Sequence, residues 1–152
     1  MSTVILMVGV AGSGKSSYAN HLLDTLEGYI EVISTDQLRG EYGSGEDDQS
    51  VSRIAFLEAE RRLIQALTSR VDYAIIDATN LTRKSRKRFI NIARQFGYDV
   101  SAYCMVTPLK ECIFRNERRS RKVPGHIIVN QYQRIKFPEV DEVDHVFYIK
   151  PD

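Results

Sequence analysis

Apolar and polar positions along this 152-residue chain fall into two kinds of block that alternate from one end to the other. Short runs with nearly every position apolar read as strands covered on both faces, and they occupy residues 4–8, 29–33, 73–76, 98–106 and 145–149. Between them, apolar residues recur at three- and four-residue spacing, which predicts helices over 16–26, 52–69, 82–96, 109–118 and 125–136. In 52–69, Ile54, Leu57, Leu63, Ile64 and Leu67 mark the expected buried face; in 82–96, Phe89, Ala93 and Phe96 do so, with Gly97 as the stop. Residues 40–49 are polar and contain glycine, which predicts a loop. Strand and helix in alternation predict an α/β fold: a parallel sheet sandwiched by helices, with its ligand beyond the carboxyl ends of the strands. No repeat or linker interrupts the pattern, so residues 1–152 are expected to form one domain, large enough for a real core.

Composition narrows the class. With 43% hydrophobic and 27% charged residues the chain is an ordinary globular one. Its longest apolar stretch is about half a membrane span, so no association with a membrane is expected. The first residues lack a basic segment before their apolar run, and a signal peptide is not expected either. Cys104 and Cys112 have no metal-binding spacing and predict free thiols in a reducing compartment, hence a cytoplasmic protein, of the host if the chain is viral. The net charge of +1 hides an asymmetry. Residues 83–122 carry twelve Lys/Arg against three acids, and the rest of the chain nine against 17. One band of sequence is built for anions.

The first strand runs into "VGVAGSGKSS", residues 8–17. Gly9, Gly12 and Gly14 let the backbone curl so that successive N–H groups point inward at an anion. The helix that follows turns its positive end to the same spot. Lys15 is suited to β- and γ-phosphates, and the Ser16 hydroxyl to the Mg²⁺ that accompanies them. Gly9-x-x-x-x-Gly14-Lys15-Ser16 is a full Walker A match, which predicts a kinase-type P-loop NTPase fold binding ATP and Mg²⁺ through Gly12, Ser13, Gly14, Lys15, Ser16 and Ser17.

Four further stretches bear on a phosphate site. In "STDQLRG", Asp36 and Arg39 share a helical face; the carboxylate suits a base that accepts a hydroxyl proton, the arginine an anion on the acceptor. Capping of a helix by Asp36, with Ser34 or Thr35, explains the same spacing. In "AIIDATNL", Asp77 ends an apolar strand, the usual place for an acid linked to Mg²⁺, and equally a place to cap the next turn. Thr79 and Asn80 behind it are candidates to steady the loop or the acceptor. The helix opening "TRKSRKR" puts five cations in six residues from Arg83 where acids are favoured, which fits either a phosphate-bearing acceptor or a solvated basic face. In "RNERRSRKVP", five cations in eight residues from Arg115 predict a basic lid whose arginines stabilise charge on a transferring phosphoryl group, or a plain basic loop.

In this order the stretches "GVAGSGKSS", Asp36-x-x-Arg39, "DATNLTRKSR", "RNERR" and "VPGHIIVNQY" resemble the polynucleotide 5′-hydroxyl kinase family, which includes the kinase domain of T-even phage RNA-repair enzymes. The likeness runs over residues 4–132. It implies ATP-dependent transfer to the 5′-OH end of DNA or RNA, with Asp36 as general base and Arg39 on the acceptor's neighbouring phosphate. It also implies that Arg115 and Arg119 act on the ATP phosphates. The chain departs from the family in two ways. No Asp-x-Asp-x-Thr phosphatase motif occurs, so 3′-end healing is not expected of these residues, and residues 40–49 are acidic through Glu41, Glu46, Asp47 and Asp48. Two other readings share the outline: a kinase of a small hydroxyl compound, nucleoside or hydroxylated nucleobase, and an NTP-hydrolysing switch without an acceptor.

Overall fold

The computed structural model describes residues 2–42, 49–120 and 122–150, and the side chains among them except those of 39–42 and 49–51. Five strands, β1 (Thr3–Val8), β2 (Ile30–Ser34), β3 (Tyr73–Asp77), β4 (Asp99–Met105) and β5 (His145–Ile149), form one parallel sheet in the order β2-β3-β1-β4-β5. The helices are α1 (Lys15–Thr25), α2 (Thr35–Tyr42), α3 (Gln49–Thr68), α4 (Arg83–Gln95), α5 (Leu109–Glu117) and α6 (Gly125–Arg134). Every strand and helix expected from the apolar pattern is present, within a few residues at each end. The helical turn expected around Asp36 and Arg39 is α2, and it runs further than expected, taking in Gly40, Glu41 and Tyr42, which the polar composition assigned to a loop. Of the rest of that expected loop, 43–48 lie outside the described residues and Gln49 opens α3.

Alternation along β1 divides the core into two layers, because successive strand side chains point to opposite faces. Val4, Leu6 and Val8 pack with α3 and α4 through Leu63, Leu67, Phe89 and Ala93, whereas Ile5 and Met7 pack with α1 through Ala19 and Leu22. A third cluster joins Val10 and Ala11 to Cys112 of α5, Ile128 of α6, Val123 and Leu81. From β1 the chain crosses to β2 on one side of the sheet, and from β3 it crosses back over β1 to β4. The strand order therefore reverses at the carboxyl end of β1, where α/β sheets leave a crevice for a ligand.

The buried face of α3 differs from the expected one. Ala55, Ala59, Leu63, Ala66 and Leu67 face the core, while Ile54, Leu57 and Ile64 stay exposed. The small alanines let the helix lie close to its neighbours, and they carry the contact that the larger aliphatic residues were expected to make. Cys104 and Cys112 are free and buried, and burial pushes the Cys104 thiol up to about 12. No helix among the described residues is long and apolar enough to cross a membrane.

One charged group is fully inside. Arg86 on α4 is 1% exposed and pairs with Glu142 at 2.6 Å, while its other nitrogen donates to the carbonyls of Asn80 (2.7 Å) and Lys136 (2.8 Å). The ion pair thus ties α4, the β3–α4 connection and the segment before β5 together. Removing one partner of a buried pair strands the other charge, which costs about 3–5 kcal/mol. Arg86→Met should therefore lower the unfolding free energy measured in urea by about that amount, and a loss below about 1 kcal/mol would contradict the clamp.

Candidate active site

The carboxyl end of β1 opens into a loop with two left-handed glycines, Gly12 (φ 81°) and Gly14 (φ 100°). Gly14 is the N-cap of α1, which has no side-chain cap and no acid in its first turn. Its first N–H groups therefore present an uncapped positive end to the cleft. A side chain at Gly12 would run into the Cys112 carbonyl, so α5 rests directly on the loop. Several bonds from distant elements hold the loop. Gly9 N–H donates to the Thr79 carbonyl (3.0 Å), Ala11 N–H to Gln131 Oε1 (2.9 Å), and Thr107 Oγ1 to the Ser13 carbonyl (2.8 Å). Thr107 and Gln131 were given no role from the sequence. Single polar residues on the far side of the chain carry no signal of what they will reach.

Lys15 is 7% exposed, and its Nζ donates to the Val10 carbonyl at 3.0 Å, arching over the loop. Burial lowers its pKa from the usual lysine value, opposed first by the carboxylate of Asp77 and then by that of Asp36. Asp77, 7% exposed at the end of β3, accepts from Ser16 Oγ at 2.8 Å, and burial raises its pKa against the pull of Lys15 and Ser16. A hydroxyl, a carboxylate and an ammonium thus meet where the sheet order reverses. The set fits a magnesium–polyphosphate substrate. No cluster of three metal-ligating side chains occurs among the described residues, and Mg²⁺ carried by phosphates needs only one or two protein ligands.

α2 brings the next group in. Ser34 Oγ accepts from Gln37 N–H at 3.3 Å and so caps the helix, while Thr35 and Leu38 are buried beneath it. Asp36, the other candidate for that cap, instead lines the cleft with a half-buried carboxylate 4.0 Å from Arg119 Nη2. The cleft has a volume of about 760 Å³, and Arg115, Arg119, Ser17, Tyr18, His21, Ile149 and Lys150 also line it. The structure brings Gly12, Gly14, Lys15, Ser16, Ser17, Asp36, Arg115 and Arg119 to one cleft, with Asp77 behind Lys15 and Ser16. A model of the AAA domain family (AAA_33) matches residues 4–138.

The chain belongs to the AAA domain family.

Other likenesses agree with that membership. The L-seryl-tRNA(Sec) kinase of Methanococcus maripaludis is 23% identical over 139 residues, covering 89% of this chain and 53% of the relative. The chain thus spans about half the length of that curated relative. A structure of the Pnkp1/Rnl/Hen1 RNA repair complex superposes with a TM-score of 0.74 at 18% identity, covering 88% of this chain and 43% of the other. The Mycobacterium tuberculosis APS kinase CysC, in complex with AMPPNP and APS, gives 0.62 at 22% identity, covering 99% and 89%. This AAA domain therefore has the P-loop kinase fold, as expected.

Two residues expected at the acceptor lie elsewhere in the AAA domain. Asn80 is 1% exposed, and its Nδ2 donates to the Met7 carbonyl at 2.7 Å: it braces β1 from behind and does not face the cleft. Its left-handed backbone (φ 47°), which asparagine tolerates, turns the chain so that the amide points inward. Arg83 pairs with Asp141 at 3.0 Å and with Glu142 at 3.6 Å on the surface. Its neighbours follow suit, Arg86 with Glu142 and Arg88 with Glu60, so three arginines of the cation-rich helix start already have anions from within the domain. Thr79 is half-buried and serves the loop through its carbonyl. The side chain of Arg39 and the whole of Arg121 lie outside the described residues.

Because Asp77 is the largest influence holding the Lys15 ammonium charged, Asp77→Asn should lower the Lys15 pKa further. An NMR pH titration of the Lys15 side chain reads this directly, and an unchanged or raised midpoint would contradict the coupling.

Proposed function

We propose that this chain is an ATP-dependent kinase that transfers the γ-phosphoryl group to an alcohol, and that its acceptor is the 5′-OH end of DNA or RNA. The observation that carries the reading is the position of Asp36. A helix capped by Ser34 leaves its carboxylate at the cleft of the phosphate loop, on the same side as Arg119 and Lys15.

In this reading the loop from Gly12 to Ser17 holds the ATP phosphates, and Lys15 lies against the β- and γ-phosphates. Ser16 and Asp77 serve the Mg²⁺ that travels with them. The acceptor oxygen attacks the γ-phosphorus as its proton passes to Asp36, the bond to the β–γ bridging oxygen breaks, and ADP leaves. Arg115 and Arg119 stabilise the charge that spreads over the γ-phosphoryl oxygens. Arg39, on the same helix as Asp36, is assigned to the acceptor's neighbouring phosphate. A nucleic-acid acceptor is supported by the named relatives, a tRNA-linked kinase and a component of an RNA repair complex. One observation favours a smaller acceptor: Arg86 is buried in its pair with Glu142, and Arg83 and Arg88 are each matched on the surface by an acid of this chain with which a polynucleotide phosphate has to compete.

Labelled γ-phosphate ATP offered to a 5′-OH oligonucleotide, a 3′-phosphorylated nucleoside and a free nucleoside separates these readings. The expected order of kcat/KM is oligonucleotide, then 3′-phosphorylated nucleoside, then nucleoside, with KM for the oligonucleotide rising with salt as phosphate contacts are screened. Equal use of all three without a salt effect would replace the polynucleotide reading by the small-acceptor one. With whichever acceptor is used, Asp36→Asn should leave the affinity for ATP nearly unchanged and lower kcat by about 10²–10⁴, the usual worth of a positioned base. A wild-type kcat in that variant would remove Asp36 from the reaction.

A further inference from the structure

β5 stands at one edge of the sheet and is hydrogen-bonded to β4 alone among the described strands. Its sequence, His-Val-Phe-Tyr-Ile, is apolar on both faces from Val146 onward, the composition of a strand inside a sheet. Yet Phe147 is 45% and Tyr148 62% exposed, and the strand contains no lysine or proline, the residues that blunt a free edge. Both rings are already braced from within: Phe147 against Tyr103 (centroids 5.0 Å apart) and Tyr148 edge-on to Phe137 (6.0 Å).

The register says which backbone groups are open. Ile149 pairs with Met105, and its carbonyl accepts from Val106 N–H at 2.7 Å, so Ile149 directs its backbone groups at β4. Alternation along a strand then turns Phe147 and His145 the same way, and turns the N–H and C=O of Val146 and Tyr148 outward. Two outward residues, two apart, are what an antiparallel copy of the same strand needs. With Val146 opposite the partner's Tyr148, and the reverse, every outward group inside the strand finds a bond, and the two-fold axis falls on Phe147. The paired stretch runs from His145 to Ile149, because the N–H of Asp144 turns back to the Val100 carbonyl at 2.9 Å. Asp144 keeps a side chain one-third exposed while it binds Arg94. We propose that β5 is the interface of a symmetric homodimer, formed by antiparallel pairing with β5 of a second copy into one continuous sheet. Ile149 and Lys150 also line the phosphate cleft, so the second copy lies beside the site of each protomer.

The register gives a test that only this dimer passes. Phe147 faces its own symmetry mate as a non-hydrogen-bonded pair, at a Cα separation of about 4.5 Å, within the span of a disulfide. Phe147→Cys should therefore form a covalent dimer under mild oxidation; Cys104 and Cys112 are buried and out of reach. His145→Cys, opposite the partner's Ile149, should not. Wild-type protein should sediment as a dimer at roughly 100 μM, and Phe147→Lys, which sets two ammonium groups face to face, should weaken the dimer by about tenfold or more. A wild-type monomer at that concentration overturns the proposal, as does a dimer that Phe147→Lys leaves intact or that His145→Cys cross-links in place of Phe147→Cys. Capture of a different protein by a monomeric chain would overturn it equally.

Discussion

A lysine ammonium with 7% of its surface in solvent is the feature around which the cleft is arranged. A charge so far from water is tolerated only where fixed groups of opposite polarity surround it. Here the Val10 carbonyl, Asp77 and Asp36 do so, and Lys15 remains below its usual pKa because they compensate burial only in part. In the proposed function a polyphosphate supplies the missing negative charge. The loop can hold the lysine there because its own backbone is pinned from three directions, by Thr79, Thr107 and Gln131. The helix end beneath it stays uncapped for the same ligand.

Most of the fold was legible because the strands of a doubly covered sheet are continuous apolar runs, and runs such as 145–149 need no partner to be recognised. The phosphate loop was equally plain, since Gly9, Gly12 and Gly14 before Lys15-Ser16 serve a single geometry. The face of α3 was misjudged because periodicity weights Ile54 and Leu57 above Ala55 and Ala59, although close helix packing selects small residues. Asn80 was a candidate to steady the loop or the acceptor, and the sequence did not choose between them. Its positive φ turns the amide to Met7, and no sequence pattern reports a dihedral angle. The surface partner of Arg83 was invisible for a related reason: its anion, Asp141, lies 58 residues away.

That last point changes how the charge asymmetry is understood. Twelve cations against three acids between residues 83 and 122 describe a basic band of sequence. In space the acids of other segments are laid against it: Glu60 from α3, and Asp141, Glu142 and Asp144 from the segment before β5. What remains directed at the cleft is Arg115 and Arg119 at the end of α5, beside the loop and Asp36. The proposed transfer therefore draws first on these two placed cations, while exposed Lys84 and Lys87 remain on the surface of α4 for further phosphates of an acceptor.

The central claim is that the buried Lys15 charge is completed by the phosphates of ATP. Calorimetric titration of MgATP into the protein, repeated in buffers of different ionisation enthalpy from neutral pH to above pH 9, measures the protons taken up on binding. Phosphates beside Lys15 raise its pKa back toward the ordinary lysine value, so the account predicts net proton uptake that is largest between the lowered pKa of the free protein and the raised one of the complex, and that disappears in Lys15→Met. Binding without proton uptake over this range, or uptake that persists unchanged in Lys15→Met, would contradict it.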